Sequence, residues 1–131
     1  MPGPEVADAA RILIVDDERS NRRLLELMLA PEGYILLHAA NGDEALALVA
    51  QQPPDLILLD IMMPEMDGYQ VADKLKDNFA TKGIPVIMLT ALDDRNSRKL
   101  GLGAGAEDFL SKPVDRVELC ARVKNVLCRK A

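Results

Sequence analysis

No stretch of this sequence approaches the roughly 20 consecutive apolar residues that a membrane-spanning helix requires, so no membrane insertion is expected. The amino terminus lacks the basic start and apolar middle of a secretory signal. Residues 1–10 are rich in Pro, Gly and Ala and acidic, and they read as a flexible leader. Basic residues are in deficit: 16 Lys and Arg face 21 Asp and Glu, leaving a net charge of −5 at pH 7. Nucleic-acid modules usually carry a basic face, so direct nucleic-acid contact is not expected, whereas a site that collects a cation is. Cysteine is scarce. Cys120 and Cys128 fall on one predicted helix; their spacing corresponds to a rise of about 12 Å, too far for a disulfide, and it suits no metal site. Reduced thiols point to the cytoplasm. The single histidine, His38, ends a predicted strand and reads as structural or exposed.

What is present is an ordinary globular mixture, 49% apolar and 28% charged over 131 residues, enough for one domain with a real core. Short apolar runs alternate with helical spacing, the signature of βαβ units and a parallel sheet. The first strand is predicted over Arg11–Asp16. A helix follows over Ser20–Ala30, with Leu24, Leu25, Met28 and Leu29 on one face, and Pro31-Glu32-Gly33 ends it. The second strand covers Tyr34–His38. Asn41-Gly42 resembles a hairpin turn, but Ala45, Leu46, Leu48 and Val49 follow at helical spacing, so it is taken as a helix start. Pro53-Pro54 closes that helix. The third strand, Asp55–Asp60, is apolar on both faces, as a central parallel strand should be.

The third helix is predicted over Tyr69–Asn78, with Val71, Ala72 and Leu75 inward, and the fourth strand begins at Pro85. A fourth helix over Asp94–Leu102 runs into Gly101, Gly103 and Gly105. These glycines close a helix instead of opening one after the first strand, so they describe a loop and not a dinucleotide-binding turn. The fifth strand is Asp108–Ser111. The last helix is Val114–Cys128, with Val117, Cys120, Val123 and Leu127 among its apolar positions. The expected architecture is α/β, a doubly wound (βα)5 fold with a five-stranded parallel sheet, in one domain spanning residues 11–129.

In such a sheet the strand C-termini share one edge, where ligands bind. Here those ends carry Asp16-Asp17, Asp60, Thr90 and Lys112. Carboxylates gathered this closely repel one another, and a hard divalent cation relieves them: Mg²⁺ takes oxygen ligands and often needs only one or two carboxylates. Carboxylates pooled with a lysine also suit phosphoryl chemistry, where ion and ammonium neutralise developing charge.

Four strings carry a resemblance: Ile12-Leu13-Ile14-Val15-Asp16-Asp17-Glu18, Leu58-Leu59-Asp60-Ile61-Met62-Met63-Pro64-Glu65-Met66-Asp67-Gly68, Leu89-Thr90-Ala91 and Ser111-Lys112-Pro113. In order, and on the expected strand ends, they resemble the receiver domain of bacterial two-component response regulators, over about Arg11 to Leu127. The resemblance implies a flavodoxin-like sheet order 2-1-3-4-5. It implies that Asp60 accepts a phosphoryl group from a histidine kinase or phosphotransfer protein, and that Asp16, Asp17, Asp60 and the backbone carbonyl of Met62 hold Mg²⁺. Lys112 would pair with a phosphoryl oxygen, next to a cis bond to Pro113. Thr90 would swing its hydroxyl to the phosphoryl group, and Phe109 occupies the position of an aromatic switch residue. Many relatives have tyrosine there, so a packing switch without a hydroxyl is expected.

Met62 and Leu92 stand where family side chains tune hydrolysis. Both are apolar and cannot orient water, so a long-lived phosphoryl state is expected. The protein would be a switch that catalyses its own phosphorylation and dephosphorylation, not an enzyme acting on an outside substrate. An aspartyl phosphatase would need a second Asp where Met62 stands. A flavodoxin would need a hydroxyl-rich loop where Asp16-Asp17-Glu18 stands. Arg98, Lys99, Asp108, Glu118 and Arg122 lie on the predicted fourth helix, fifth strand and last helix, a face that pairs two copies or meets an output partner in many relatives. The last helix also resembles that of regulators that continue into an output domain, including cyclic-di-GMP synthases.

Overall fold

The computed structural model describes residues 9–90 and 107–130, with side chains through Cys128. The elements are β1 (Arg11–Val15), α1 (Arg19–Leu29), a single 3₁₀ turn (Ala30–Glu32), β2 (Ile35–Ala39), α2 (Gly42–Gln51), β3 (Leu56–Asp60), α3 (Gly68–Asp77), β4 (Val86–Thr90), β5 (Asp108–Ser111) and a C-terminal helix (Arg116–Lys130). All pairings are parallel, in the order β2-β1-β3-β4-β5. The expected α/β architecture and strand order are both present. The predicted helix Asp94–Leu102, the Gly101–Gly105 loop and Leu92 lie outside the described residues.

β3 and β4 are buried along their whole length. Because strand side chains alternate between faces, each strand feeds two cores. One contains Leu13, Val15, Ile57, Leu59, Val86, Met88 and Phe109, packed under Ala45 and Val49 of α2 and Val71, Ala72 and Leu75 of α3. The other contains Ile12, Ile14, Leu56, Leu58, Ile87, Leu89 and Leu110, packed under Leu25 and Leu29 of α1 and Leu119, Val123 and Val126 of the C-terminal helix. This double covering makes the central strands apolar on both faces.

Local chemistry fixes the helix ends. The Asn41 side chain accepts from the Glu44 N–H at 2.8 Å, so Asn41-Gly42 starts a helix as expected. Asp67 and Gln70 form a reciprocal capping box on α3. Gly33, at φ +84°, turns the chain from α1 toward β2. Two helix faces differ from the sequence reading. Leu24 is 50% exposed although the sequence reading groups it with Leu25 and Leu29: the buried stripe of α1 runs through Leu25 and Leu29, one helical turn apart, and Leu24 falls to one side of it. Val117 is 77% exposed, and the C-terminal helix buries Leu119, Val123 and Val126 instead. His38 meets Glu26 at 3.3 Å, and both cysteines are free thiols. Among the described residues no helix is long and apolar enough to cross a membrane.

Candidate functional site

Parallel pairing brings the strand ends to one edge. Val15 is level with Leu59, so Asp16 follows beside Asp60. Thr90 is level with Ser111, so Lys112 follows beside β4. Lys112 Nζ donates to Asp60 Oδ1 at 3.0 Å and to Asp16 Oδ2 at 3.3 Å, and so bridges two carboxylates from different strands. Asp16 is fully buried, Asp60 is 2% exposed and Thr90 4%. Asp17 is exposed at the rim. The peptide bond between Lys112 and Pro113 is cis, as expected, and the Lys112 N–H donates to the Thr90 carbonyl at 2.6 Å.

The carboxylates have further donors. Asp16 Oδ1 accepts from the Glu18 N–H at 2.9 Å, and Asp60 Oδ1 accepts from the Met62 N–H at 3.3 Å. The Met62 side chain stays 69% exposed above the edge. The loop after β3 is folded tightly back: the Gly68 N–H donates to the Ile61 carbonyl at 3.0 Å, and Glu65 adopts φ +67°. A cavity of about 140 Å³ lies beside the site, lined by Asp16, Leu24, Leu25, Leu89, Lys112 and Pro113 among others.

Charge does not balance here. Burial pushes the Asp60 carboxyl above its ordinary pKa; the Lys112 hydrogen bond works against this, and the Asp16 charge adds to it. Burial also opposes the Lys112 ammonium, but the hydrogen bond and charge of Asp60, with those of Asp16, more than offset it and hold lysine above its ordinary value. Both shifts favour bound protons, as expected where one ammonium faces three carboxylates. Oxygens from Asp16, Asp17 and Asp60 all lie within 4.8 Å of one another, close enough to share one ion. The donor set is hard and entirely oxygen, and exposed Asp17 leaves room for water, which suits a small divalent cation. The residues therefore fit the metal that the sequence suggested.

Asp16, Asp17, Asp60, Met62, Thr90 and Lys112 all stand at this edge, whereas the predicted switch residue Phe109 does not. Phe109 lies one layer below, 6% exposed in the α2/α3 core. It is level with Met88, so it neighbours Thr90 diagonally on the same sheet face. Asp108 and Arg122, expected on an interaction face, pair within the chain: Arg122 Nη1 donates to both Asp108 oxygens at 2.7 and 2.6 Å. The sequence reading missed Arg22. Its Nη1 donates to the main-chain carbonyl of Asp16 at 2.6 Å, and nothing in the apolar spacing of α1 signals that contact.

A family model for the response regulator receiver domain matches residues 12–124. Response regulator PleD from Caulobacter vibrioides (strain NA1000 / CB15N) is 53% identical over 118 residues, which cover 90% of this chain and 26% of PleD. The signal receiver domain of a signal transduction histidine kinase from Syntrophus aciditrophicus superimposes with a TM-score of 0.85 at 41% identity, covering 92% of this chain and 91% of that one. Chemotaxis protein CheY4 of Vibrio cholerae gives a TM-score of 0.86 at 31% identity, covering 90% of this chain and 98% of that one. The chain thus spans about a quarter of the length of its PleD relative.

Proposed function

The chain belongs to the response regulator receiver family, and on that premise we propose that it is a phosphorylation-controlled switch, with Asp60 accepting a phosphoryl group from the histidine of a kinase or phosphotransfer protein. The observation that carries this reading is the Lys112 ammonium, 3.0 Å from Asp60 and 3.3 Å from Asp16 at the shared strand edge. An Asp60 oxygen forms the new bond to phosphorus while the bond from phosphorus to the donor imidazole nitrogen breaks, and the imidazole takes up a proton. Lys112 then exchanges its contact with Asp60 for one with a phosphoryl oxygen. Asp16, Asp17, Asp60 and the Met62 backbone carbonyl would hold Mg²⁺, which when bound offsets the charge of the transferring group. The Thr90 hydroxyl binds the phosphorylated form, and Phe109 repacks in response.

Dephosphorylation is self-catalysed: a water oxygen forms a bond to phosphorus while the bond from phosphorus to the Asp60 oxygen breaks, inorganic phosphate leaves with the water's protons shared between it and solvent, and the Asp60 carboxylate is restored. Met62 and Leu92 bring no group that orients this water, so the phosphorylated state is long-lived. The switch operates in the cytoplasm. It controls an output domain or partner, a diguanylate cyclase being one such output, or a homodimer, through the face of β5 and the C-terminal helix. Residues 1–10 act as a leader and residues 11–129 as the receiver domain.

Intact-mass measurement with acetyl phosphate and Mg²⁺ tests the central step. The wild-type chain should gain one phosphoryl group, and Asp60→Asn or a chelator should abolish the gain. A wild type that gains nothing, or an Asp60→Asn variant that still gains it, overturns the reading.

A further inference from the structure

We propose that Arg22 is a positioning residue for the cation site: it fixes the peptide between Asp16 and Asp17, and through that peptide the direction of the Asp17 carboxylate. The inference rests on the Mg²⁺-dependent reading of the strand edge and names a residue that the reading did not contain.

Three hydrogen bonds close a small ring where β1 becomes α1. The Glu18 N–H donates to Asp16 Oδ1 at 2.9 Å. The Arg22 N–H donates to the Glu18 carbonyl at 3.2 Å. The Arg22 guanidinium returns to the Asp16 carbonyl at 2.6 Å. Asp16 is held from its other sides as well, its N–H donating to the Ala39 carbonyl at 3.2 Å and its Oδ2 accepting from Lys112. Asp17 is the residue left between the pinned peptides. Its side chain is exposed and so has no packing of its own to aim it. Yet its carboxylate lies within the 4.8 Å cluster with Asp16 and Asp60. The backbone on either side must supply the orientation, and Arg22 is the side chain that holds the peptide leading into it.

The helix itself gives an independent indication. α1 has no side-chain cap and no acidic residue in its first turn, while Arg19, Arg22 and Arg23 stand near its start. Cations there oppose the helix dipole, so the local helix preference does not explain an arginine at this position. Departures from local preference concentrate at functional sites. What the part-buried Arg22 guanidinium does have there is a partner, the Asp16 main-chain carbonyl, one peptide from the carboxylate cluster. Groups that orient metal ligands from behind change metal affinity by about 10–100-fold when removed.

The test uses the whole chain as wild type, Arg22→Met, Arg22→Lys and, as a reference for the site, Asp17→Asn. Mg²⁺ affinity is read by calorimetric titration, and the rate of acetyl phosphate labelling is read against Mg²⁺ concentration. Thermal melting with EDTA reports any structural loss separately. Arg22→Met should raise the half-saturating Mg²⁺ concentration by about tenfold, with labelling at saturating Mg²⁺ within about threefold of wild type, and Arg22→Lys should recover part of the affinity. An Arg22→Met variant that binds Mg²⁺ like wild type overturns the proposal, whether or not its melting point falls. So does one whose labelling fails equally at every Mg²⁺ concentration. If Arg22→Met does not fold, Arg22→Lys carries the test: an Mg²⁺ affinity between those of wild type and Asp17→Asn supports the proposal, and an affinity equal to wild type overturns it. A wild type that neither binds Mg²⁺ nor gains a phosphoryl group defeats the underlying reading instead, and Asp17→Asn then shows no change from it.

Discussion

Gly68→Ala should uncouple the phosphoacceptor from its site without touching an ionisable group. Gly68 begins α3 directly behind Asp60, and a Cβ placed there would meet the Asp60 carbonyl oxygen at 2.6 Å, the Ile61 Cα at 2.8 Å and the Asp60 carbonyl carbon at 3.2 Å. All three are backbone atoms, so no rotamer change relieves the clash. Moving from 2.6 Å to an ordinary contact of about 3.4 Å needs a separation of about 0.8 Å. Overpacking of this kind costs about 1–3 kcal/mol, and the helix preference of alanine over glycine returns at most about 1 kcal/mol. The steric term wins, leaving a net loss of about 1–2 kcal/mol and a melting point lower by about 4–10 °C.

The loop that retreats carries Asp60 and the Met62 carbonyl. Displacing reacting groups by about 1 Å can cost about 100-fold in rate, so acetyl phosphate labelling should slow by about tenfold. Two other glycines serve as controls. Gly83 has nothing within 4 Å of an added Cβ and no positive φ, so Gly83→Ala should leave both melting and labelling near wild type. Gly33 also has open space but sits at φ +84°, so Gly33→Ala should lower stability by about 1–2 kcal/mol while labelling stays at the wild-type rate. Calorimetric melting and intact-mass kinetics on the three variants decide the matter. A Gly68→Ala variant that melts and reacts like wild type, or a Gly33→Ala variant that slows labelling equally, refutes the idea that close backbone approach at Gly68 positions the site.

Lys112→Ala leaves Asp16 and Asp60 buried without their ammonium and should lower stability in EDTA by about 2–3 kcal/mol, less than for a fully buried pair because Lys112 is partly exposed; urea titrations should show Mg²⁺ restoring much of the loss. The Asp60 carboxyl has a raised pKa in the metal-free fold, so its stabilising contribution is complete below its unfolded value near about 4 and is lost as pH rises through the folded value. The urea midpoint of wild type relative to Asp60→Asn should therefore fall as pH climbs from about 4 in EDTA, and Mg²⁺ should oppose that fall; a difference that grows with pH in EDTA contradicts the charge imbalance. Met62→Asn places an amide above Asp60 and should shorten the phosphoryl lifetime by several-fold, read as decay of the phosphorylated mass; an unchanged lifetime removes Met62 from that role.

Much of this was legible because strand patterning and site chemistry coincide. Leu56–Leu59 is apolar at every position, so the strand had to be central, and its terminal Asp60 had to sit at the ligand edge. Asp108–Ser111 was placed with the right bounds from four residues because Lys112-Pro113 stops the strand. Leu24 was misread because four apolar residues span a wide arc of the helix, and the spacing alone does not say which part of that arc is covered; the buried stripe runs through Leu25 and Leu29. Arg22 was missed because its partner is a main-chain carbonyl, and carbonyls leave no trace in a sequence. The tight approach of Gly68 was equally silent, since it depends on how the loop after β3 folds back.

The alternation of β-strands also explains how one edge can serve both chemistry and readout. Asp60 follows Leu56 and Leu58 in period, and Asp16 follows Ile12 and Ile14, so both continue the sheet face covered by α1 and the C-terminal helix. Thr90 follows Val86 and Met88 and continues the opposite face, where Phe109 packs with α2 and α3. On the proposed reading, a phosphoryl group on Asp60 would sit over the edge where these faces meet, and a Thr90 hydroxyl drawn toward it would leave the second core layer. Interiors are close-packed, so even a methyl-sized vacancy is felt by its neighbours. Phe109, diagonal to Thr90 and almost fully buried, is placed to fill that space. On the proposed reading, phenylalanine in place of a tyrosine would carry the signal by volume alone. Phe109→Leu should therefore weaken the coupling between phosphorylation and the β5 face, seen as a smaller phosphorylation-dependent change in amide exchange there, while Asp60 is still labelled at the wild-type rate. An undiminished exchange change in that variant would remove Phe109 from the relay.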